Sequence, residues 1–219
     1  MLRIQKRTAL PVWKSWLIRA IAIIIALVLN GVLIYGLTKM NPVKVYATMF
    51  NGVFGSERRI WNTIRDISML LCIGIGLAPA FKMKFWNIGA EGQVLIGALS
   101  TAIVMVNFST LSTPLLFTLM IVSSVVMGAI WGLIPAIFKA KWNVNETLFT
   151  LMMNYVAMQL VDYYYNIWKG SKASLGMLNP GTKAGYLPEY NGSSNNIIVT
   201  VVLIITVLMY IYLKKEMLV

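Results

Sequence analysis

Apolar residues run along this chain in blocks of about twenty, separated by short polar or basic connections. The blocks fall at residues 16–38, 63–81, 87–106, 115–138, 146–165 and 197–213. At 1.5 Å rise per residue, a block of that length matches a hydrocarbon core of about 30 Å. The pattern predicts an all-α fold, a polytopic membrane helix bundle of about six transmembrane helices. A single transmembrane domain is expected over residues 1–219, with a basic tail over 1–15 and an extracytoplasmic loop over 166–196.

The third block departs from this plain pattern. It opens as Phe85-Trp-Asn-Ile-Gly-Ala-Glu-Gly-Gln-Val-Leu-Ile-Gly97, so a carboxylate, two amides and three glycines begin an otherwise apolar span. An ionisable group inside the bilayer costs about 2.5–3.5 kcal/mol on insertion scales and normally faces a bundle interior or a polar pathway. A broken or Gly-rich third span is therefore expected, with Glu91 turned toward other protein or toward solute.

The fifth block carries a second polar feature. At 100° per residue, Asn143, Glu146, Thr147, Thr150 and Asn154 fall within an arc of about 100°. A helix in lipid gains nothing by showing such a stripe to acyl chains. Two readings stand: interhelical hydrogen bonds from Thr and Asn, or a polar pathway lined jointly with residues 87–93. Gly89, Gly92 and Gly97 pose the same choice between close helix packing and a helix opening whose free N–H groups face a solute. Gly128 and Gly132, with Pro135, form a small-xxx-small face suited to packing.

Charge supports the membrane assignment. The net charge is +12, but the basic residues flank the apolar blocks and only seven acidic residues oppose them. Contact with anionic lipid headgroups is expected, and nucleic acid is not. Arg3, Lys6, Arg7, Lys14 and Arg19 lead into the first block, which is too long for a signal-peptide core and lacks a small-x-small cleavage site. An uncleaved anchor with a cytoplasmic N-terminus follows. Lys82/Lys84, Lys139/Lys141 and Lys214/Lys215 then fall inside, although Arg58, Arg59 and Arg65 dilute the bias.

Residues 39–62 and 166–196 are long enough to fold over the membrane surface. Asn179-Pro-Gly and Tyr186-Leu-Pro mark turns in the second, which reads either as a lid or docking surface or as a loosely ordered linker. Asn191-Gly-Ser fits a glycosylation sequon, a triplet common by chance.

Chemistry of the bond-breaking kind finds little support. The sequence has no histidine and one cysteine, Cys72, which excludes disulfide pairing within the chain and His-based catalysis or zinc sites. There is no G-x-x-x-x-G-K-[ST] phosphate loop, so any ATP-driven step needs another subunit.

These residues meet a family. The segment Phe85-Trp-Asn-Ile-Gly-Ala-Glu-Gly-Gln-Val-Leu-Ile-Gly-Ala98 resembles the "FNIGAEGQ…GA" motif of permease subunits of bacterial ABC importers for nucleosides and simple sugars. Residues 131–157, from Trp131-Gly-Leu-Ile-Pro through Asn143-Val-Asn-Glu-Thr to Met153-Asn-Tyr-Val-Ala157, are similar to that family's "WG.IP..LKA..GVNE…T.M.NYIA" stretch. The wording of the first motif leans toward nucleoside and sugar permeases over the related branched-chain amino-acid ones. Trp86 stands where Phe is usual.

The resemblance implies a permease that pairs with a second permease subunit, docks ATPase subunits carrying ATP and Mg, and receives solute from an extracytoplasmic binding lipoprotein. It places Asn87, Glu91, Gln93, Glu146, Thr150 and Asn154 near the translocation path or its supporting helices, with no catalytic residue, cofactor or metal in this chain. The cytoplasmic membrane of a bacterial cell is the expected location. The family's "T..G…RAVG.N..AA" coupling motif would begin where Lys214-Lys-Glu-Met-Leu-Val219 closes the sequence, so a permease lacking its coupling loop is expected. Two other readings are a non-transporting subunit associated with a full-length permease, and an ion- or proton-coupled transporter titrating at Glu91 and Glu146.

Overall fold

The computed structural model describes residues 11–188 and 195–216. Seven helices, and no strand, occur among the described residues: α1 (Val12–Thr38), α2 (Pro42–Phe54), α3 (Glu57–Lys82), α4 (Ala90–Asn107), α5 (Thr113–Trp142), α6 (Glu146–Lys169) and α7 (Asn195–Glu216). The chain forms two compact units that meet in sequence within α3, between Thr63 and Ile64.

In the first unit, α1 ends on Lys39 in the left-handed conformation and α2 starts at once. Asn41 caps α2 by accepting from the Val43 N–H at 2.9 Å, and Pro42 takes the first helical position, where no N–H is needed. The Tyr46 hydroxyl donates to the Leu27 carbonyl at 2.7 Å, and Pro42 packs on Gly31. The segment 39–62, expected as a connection, therefore contains a 13-residue helix and the start of α3. Its missed signal was the Asn41-Pro42 start.

Five helices are long and apolar enough to cross a membrane: α1, α3, α4, α5 and residues Asn196–Lys215 of α7. α6, expected as a sixth span, has the length at 24 residues but falls outside that group. Its polar stripe and the run Asp162-Tyr-Tyr-Tyr-Asn166 lower its hydropathy. The lipid-facing helices expose most of their large apolar side chains, as hydrocarbon solvates them as well as protein does. The buried set is accordingly small and half polar: Ser68, Asn87, Ser100, Thr150 and Asn154 beside Ile96, Leu116, Met120, Ala157 and Val202.

The second unit is organised around α4, which packs against α5 and α6. α3 stops cleanly before it. Lys84 adopts the left-handed conformation, and the Phe85 and Lys84 N–H groups bond the Ala80 and Phe81 carbonyls at 2.9 and 3.0 Å. This is the Schellman stop, with lysine where glycine is usual. Beyond α6, Asn179 donates to the Met105 carbonyl at 2.7 Å, and Gly185, at φ +81°, lies against Met105 and Met120. Residues 170–188 are thus tied to the C-terminal end of α4. The basic residues Arg3, Lys6 and Arg7 and the Asn191 sequon lie outside the described residues.

Candidate functional site: the lead-in to α4

Residues 85–89 approach α4 without helical structure, so the helix starts at Ala90, three residues later than expected. Its N-cap is Gly89, which has no side chain to satisfy the free N–H groups of the first turn. α6 supplies a partner for one of them, at Gly92, and for the segment just before the helix. Thr150 Oγ1 accepts from the Ile88 N–H at 3.2 Å, and Asn154 Oδ1 accepts from the Gly92 N–H at 2.8 Å. The Asn154 amide also donates to the Ile88 carbonyl at 3.0 Å. One turn earlier, the Glu146 carboxylate pairs with Lys139 of α5 at 2.9 Å and lies near the Trp86 backbone.

Glu146, Thr150 and Asn154 stand at i, i+4 and i+8, so a single face of α6 holds the backbone of residues 86–92. Thr150 and Asn154 are nearly inaccessible, at 1% and 5% exposure. All the polar atoms of that pair are engaged with backbone or with each other's helix. The seam around Asn87, Gly89, Trp131, Pro135 and Met153 leaves no room for a water molecule. Trp131 Nε1 is buried there without a hydrogen-bond partner.

Glycine makes this approach feasible. A Cβ on Gly89 would lie 2.9 Å from Thr150 Cβ, and one on Gly92 would lie 2.8 Å from Asn154 Oδ1 and 3.1 Å from Trp131 Nε1. Gly132 faces the Gln93 amide so closely that a Cβ would overlap it, Gly97 abuts Ser124, and Gly128 lies near the Gln93 carbonyl.

Asn87 closes the lead-in on itself, accepting from the Gly89 N–H at 2.8 Å through Oδ1. Its amide nitrogen reaches Gln93 Oε1 at 3.4 Å. Asn87 and Gln93 also border an open cleft of about 860 Å³ between α3, α4 and α5. The structure therefore brings Asn87, Gln93, Glu146, Thr150 and Asn154 around one segment. Glu91 is not among them. It lies exposed on the far side of the first turn, in line with exposed Val94 and Ala98, and forms no ion pair among the described residues. A carboxylate there complements the positive helix N-terminus.

Sequence reasoning missed Ser124 and Trp131. The pair Ser123-Ser124 gives no periodic signal, and Trp131 stands in the sequence only as the start of the second family-like stretch. Among the described residues no three Cys, Asp or Glu side chains gather in a way that would hold a metal ion.

Residues 59–216 match the family described as branched-chain amino acid transport system / permease component. The chain belongs to this family. Membership of this family and the five helices of this chain that are long and apolar enough to cross a membrane support a multi-pass membrane protein. It is similar to the glucose ABC transporter permease protein TsgB13 of Haloferax volcanii, at 34% identity over 162 residues, covering 74% of this chain and 42% of the relative. It is likewise 34% identical over 147 residues to the guanosine ABC transporter permease protein NupP of Bacillus subtilis, covering 67% and 42%. The nucleoside ABC transporter permease protein NupB of Lactococcus lactis is 30% identical over 142 residues, covering 65% and 39%. The chain thus spans about two fifths of the length of the curated relatives it matches. No solved structure matches it.

Proposed function

We propose that this permease belongs to the membrane-spanning part of an ATP-driven importer that carries nucleosides or simple sugars inward across a bacterial cytoplasmic membrane. The observation that carries this reading is the similarity to permeases named for guanosine, nucleosides and glucose. Matches of 162 and 147 residues within a chain of 219 necessarily run through residues 85–93. The lead-in to α4 is thus part of what is shared.

The role assigned to that lead-in is to hold a rigid, hydrogen-bonded wall beside the solute. Glu146, Thr150 and Asn154 position it from behind, and Asn87 and Gln93 present amides in front. The remaining parts come from partners: ATPase subunits with ATP and Mg, a second permease subunit, and an extracytoplasmic binding lipoprotein. The N-terminus is assigned to the cytoplasm, following the basic residues before the first span.

Uptake of labelled guanosine, uridine and glucose into cells with and without the gene tests this directly. Accumulation of one of these classes is expected to depend on the gene and to stop when ATP is depleted. Uptake that survives ATP depletion but collapses with an uncoupler would replace the reading with ion-coupled transport. Identical uptake of every solute in both strains would remove the solute assignment.

A further inference from the structure

The cleft beside α4 contains hydrogen-bonding groups that the chain itself leaves unused. Hydroxyls in apolar helices usually donate to the carbonyl one turn back, which hides them from hydrocarbon. Ser68, Thr101, Thr118, Ser123 and Thr206 do this at 2.7–3.0 Å. Ser124 does not. It forms no hydrogen bond among the described residues, although it lines the cleft. Gln93 borders the same cleft from α4, and its amide nitrogen, which packs on Gly132 at the cleft's edge, has no acceptor among the described residues.

The two groups lie on adjoining helices with Gly97 between them. A side chain at Gly97 would crowd the Ser124 hydroxyl, since a Cβ would sit 3.0 Å from Oγ. The opposite wall is aliphatic, with Ile73 and Leu77 of α3. At about 860 Å³ the cleft lies within the usual range of small-molecule sites, roughly 300–1,000 Å³. Such sites combine an apolar lining with a few placed polar groups.

We propose that this cleft is a solute site selective for nucleosides over hexoses. Gln93 and Ser124 meet the polar edge of the solute, and Ile73 and Leu77 hold the flat face of its base. The inference rests on the solute class proposed above and narrows it. A nucleoside has two unlike sides, donors and acceptors along its edges and an apolar ring face. A hexose carries hydroxyls around its whole rim and offers the aliphatic wall much less.

Cys72, the sequence's one cysteine, lines the same cleft and provides a native reporter. Membrane vesicles holding the protein with its native partners are treated with a small maleimide, and modification of Cys72 is followed by mass spectrometry. The expected result is that guanosine or uridine slows labelling about fivefold or more at saturation, while glucose leaves it unchanged. Ser124→Ala should raise the half-protecting nucleoside concentration about fivefold, the worth of one hydrogen bond, with an unaltered unfolding midpoint.

Equal protection by glucose and nucleoside overturns the selectivity. An unprotected Cys72 in vesicles that accumulate nucleoside places the solute elsewhere and overturns the site, leaving the importer reading intact. A Cys72 that fails to react even without solute means that protein fills the cleft in the assembly, and this too overturns the site. Vesicles that accumulate neither class remove the importer reading, and the selectivity with it.

Discussion

The two sides of α4 handle polar groups in opposite ways. Toward α6, Thr150 and Asn154 bond the backbone at Ile88 and Gly92, and the seam closes to less than a water molecule. Toward α3 and α5, the Ser124 hydroxyl has no partner among the described residues and borders open space, and the Gln93 amide nitrogen, packed on Gly132 at the edge of that space, has no acceptor there either. Both sides are built from the same residue types. A polar residue in a membrane helix therefore carries no meaning until its partners are counted: paired groups hold backbone, and unpaired groups keep their hydrogen-bonding capacity.

Asn154→Leu should break the α6 side most severely. It leaves the Gly92 N–H and the Ile88 carbonyl buried without partners. At about 1–3 kcal/mol per orphaned group, a loss of about 3 kcal/mol or more is expected. A thermal melt in detergent should show a midpoint about 8 °C lower. An unchanged melt would mean that the seam is held by apolar packing alone.

Gly92→Ala tests the same seam by overfilling it. The added methyl meets Asn154 Oδ1 and Trp131 Nε1, so about 2 kcal/mol should be lost, read from the same melts. Thr150→Val, which keeps the shape but removes the acceptor for the Ile88 N–H, should cost about 1–2 kcal/mol.

The smallest effect is expected on the other side. Ser124→Ala removes no internal bond, so stability should stay within about 0.5 kcal/mol of the parent. A large destabilisation there would erase the contrast, because it would show Ser124 to be structurally engaged. Glu91→Gln should likewise cost no more than about 0.5 kcal/mol, the share of an exposed carboxylate at a helix N-terminus, since among the described residues it forms no ion pair.

Much of this arrangement was legible in the sequence, and the failures share one cause. The stripe Glu146, Thr150, Asn154 was visible as a helical period, and the structure gathers those side chains on the lead-in segment. Five of the apolar blocks reappear as long apolar helices because length and hydropathy need no tertiary information. The direction of Glu91 was not read from the sequence, which offered only a carboxylate expected to face protein or solute. Gly92, Ile96 and Ser100 share the buried face at spacings of four, which sets Glu91 aside with Val94 and Ala98. What stayed hidden was pairing across elements. No local pattern says that an N–H in the first turn after a glycine N-cap is satisfied from a helix 62 residues away, or that one of two adjacent serines bonds its own helix and the other does not.

The tie between Asn179 and Met105 also has a mechanical side. α4 is a rod of 18 residues, about 27 Å long, held at its first turn by Asn154 and at its last by Asn179. Both clamps come from one continuous stretch, residues 154–179. A rod gripped at both ends by the same bracket cannot swing about either grip. Movement of the segment after α6 is thereby coupled to both ends of α4.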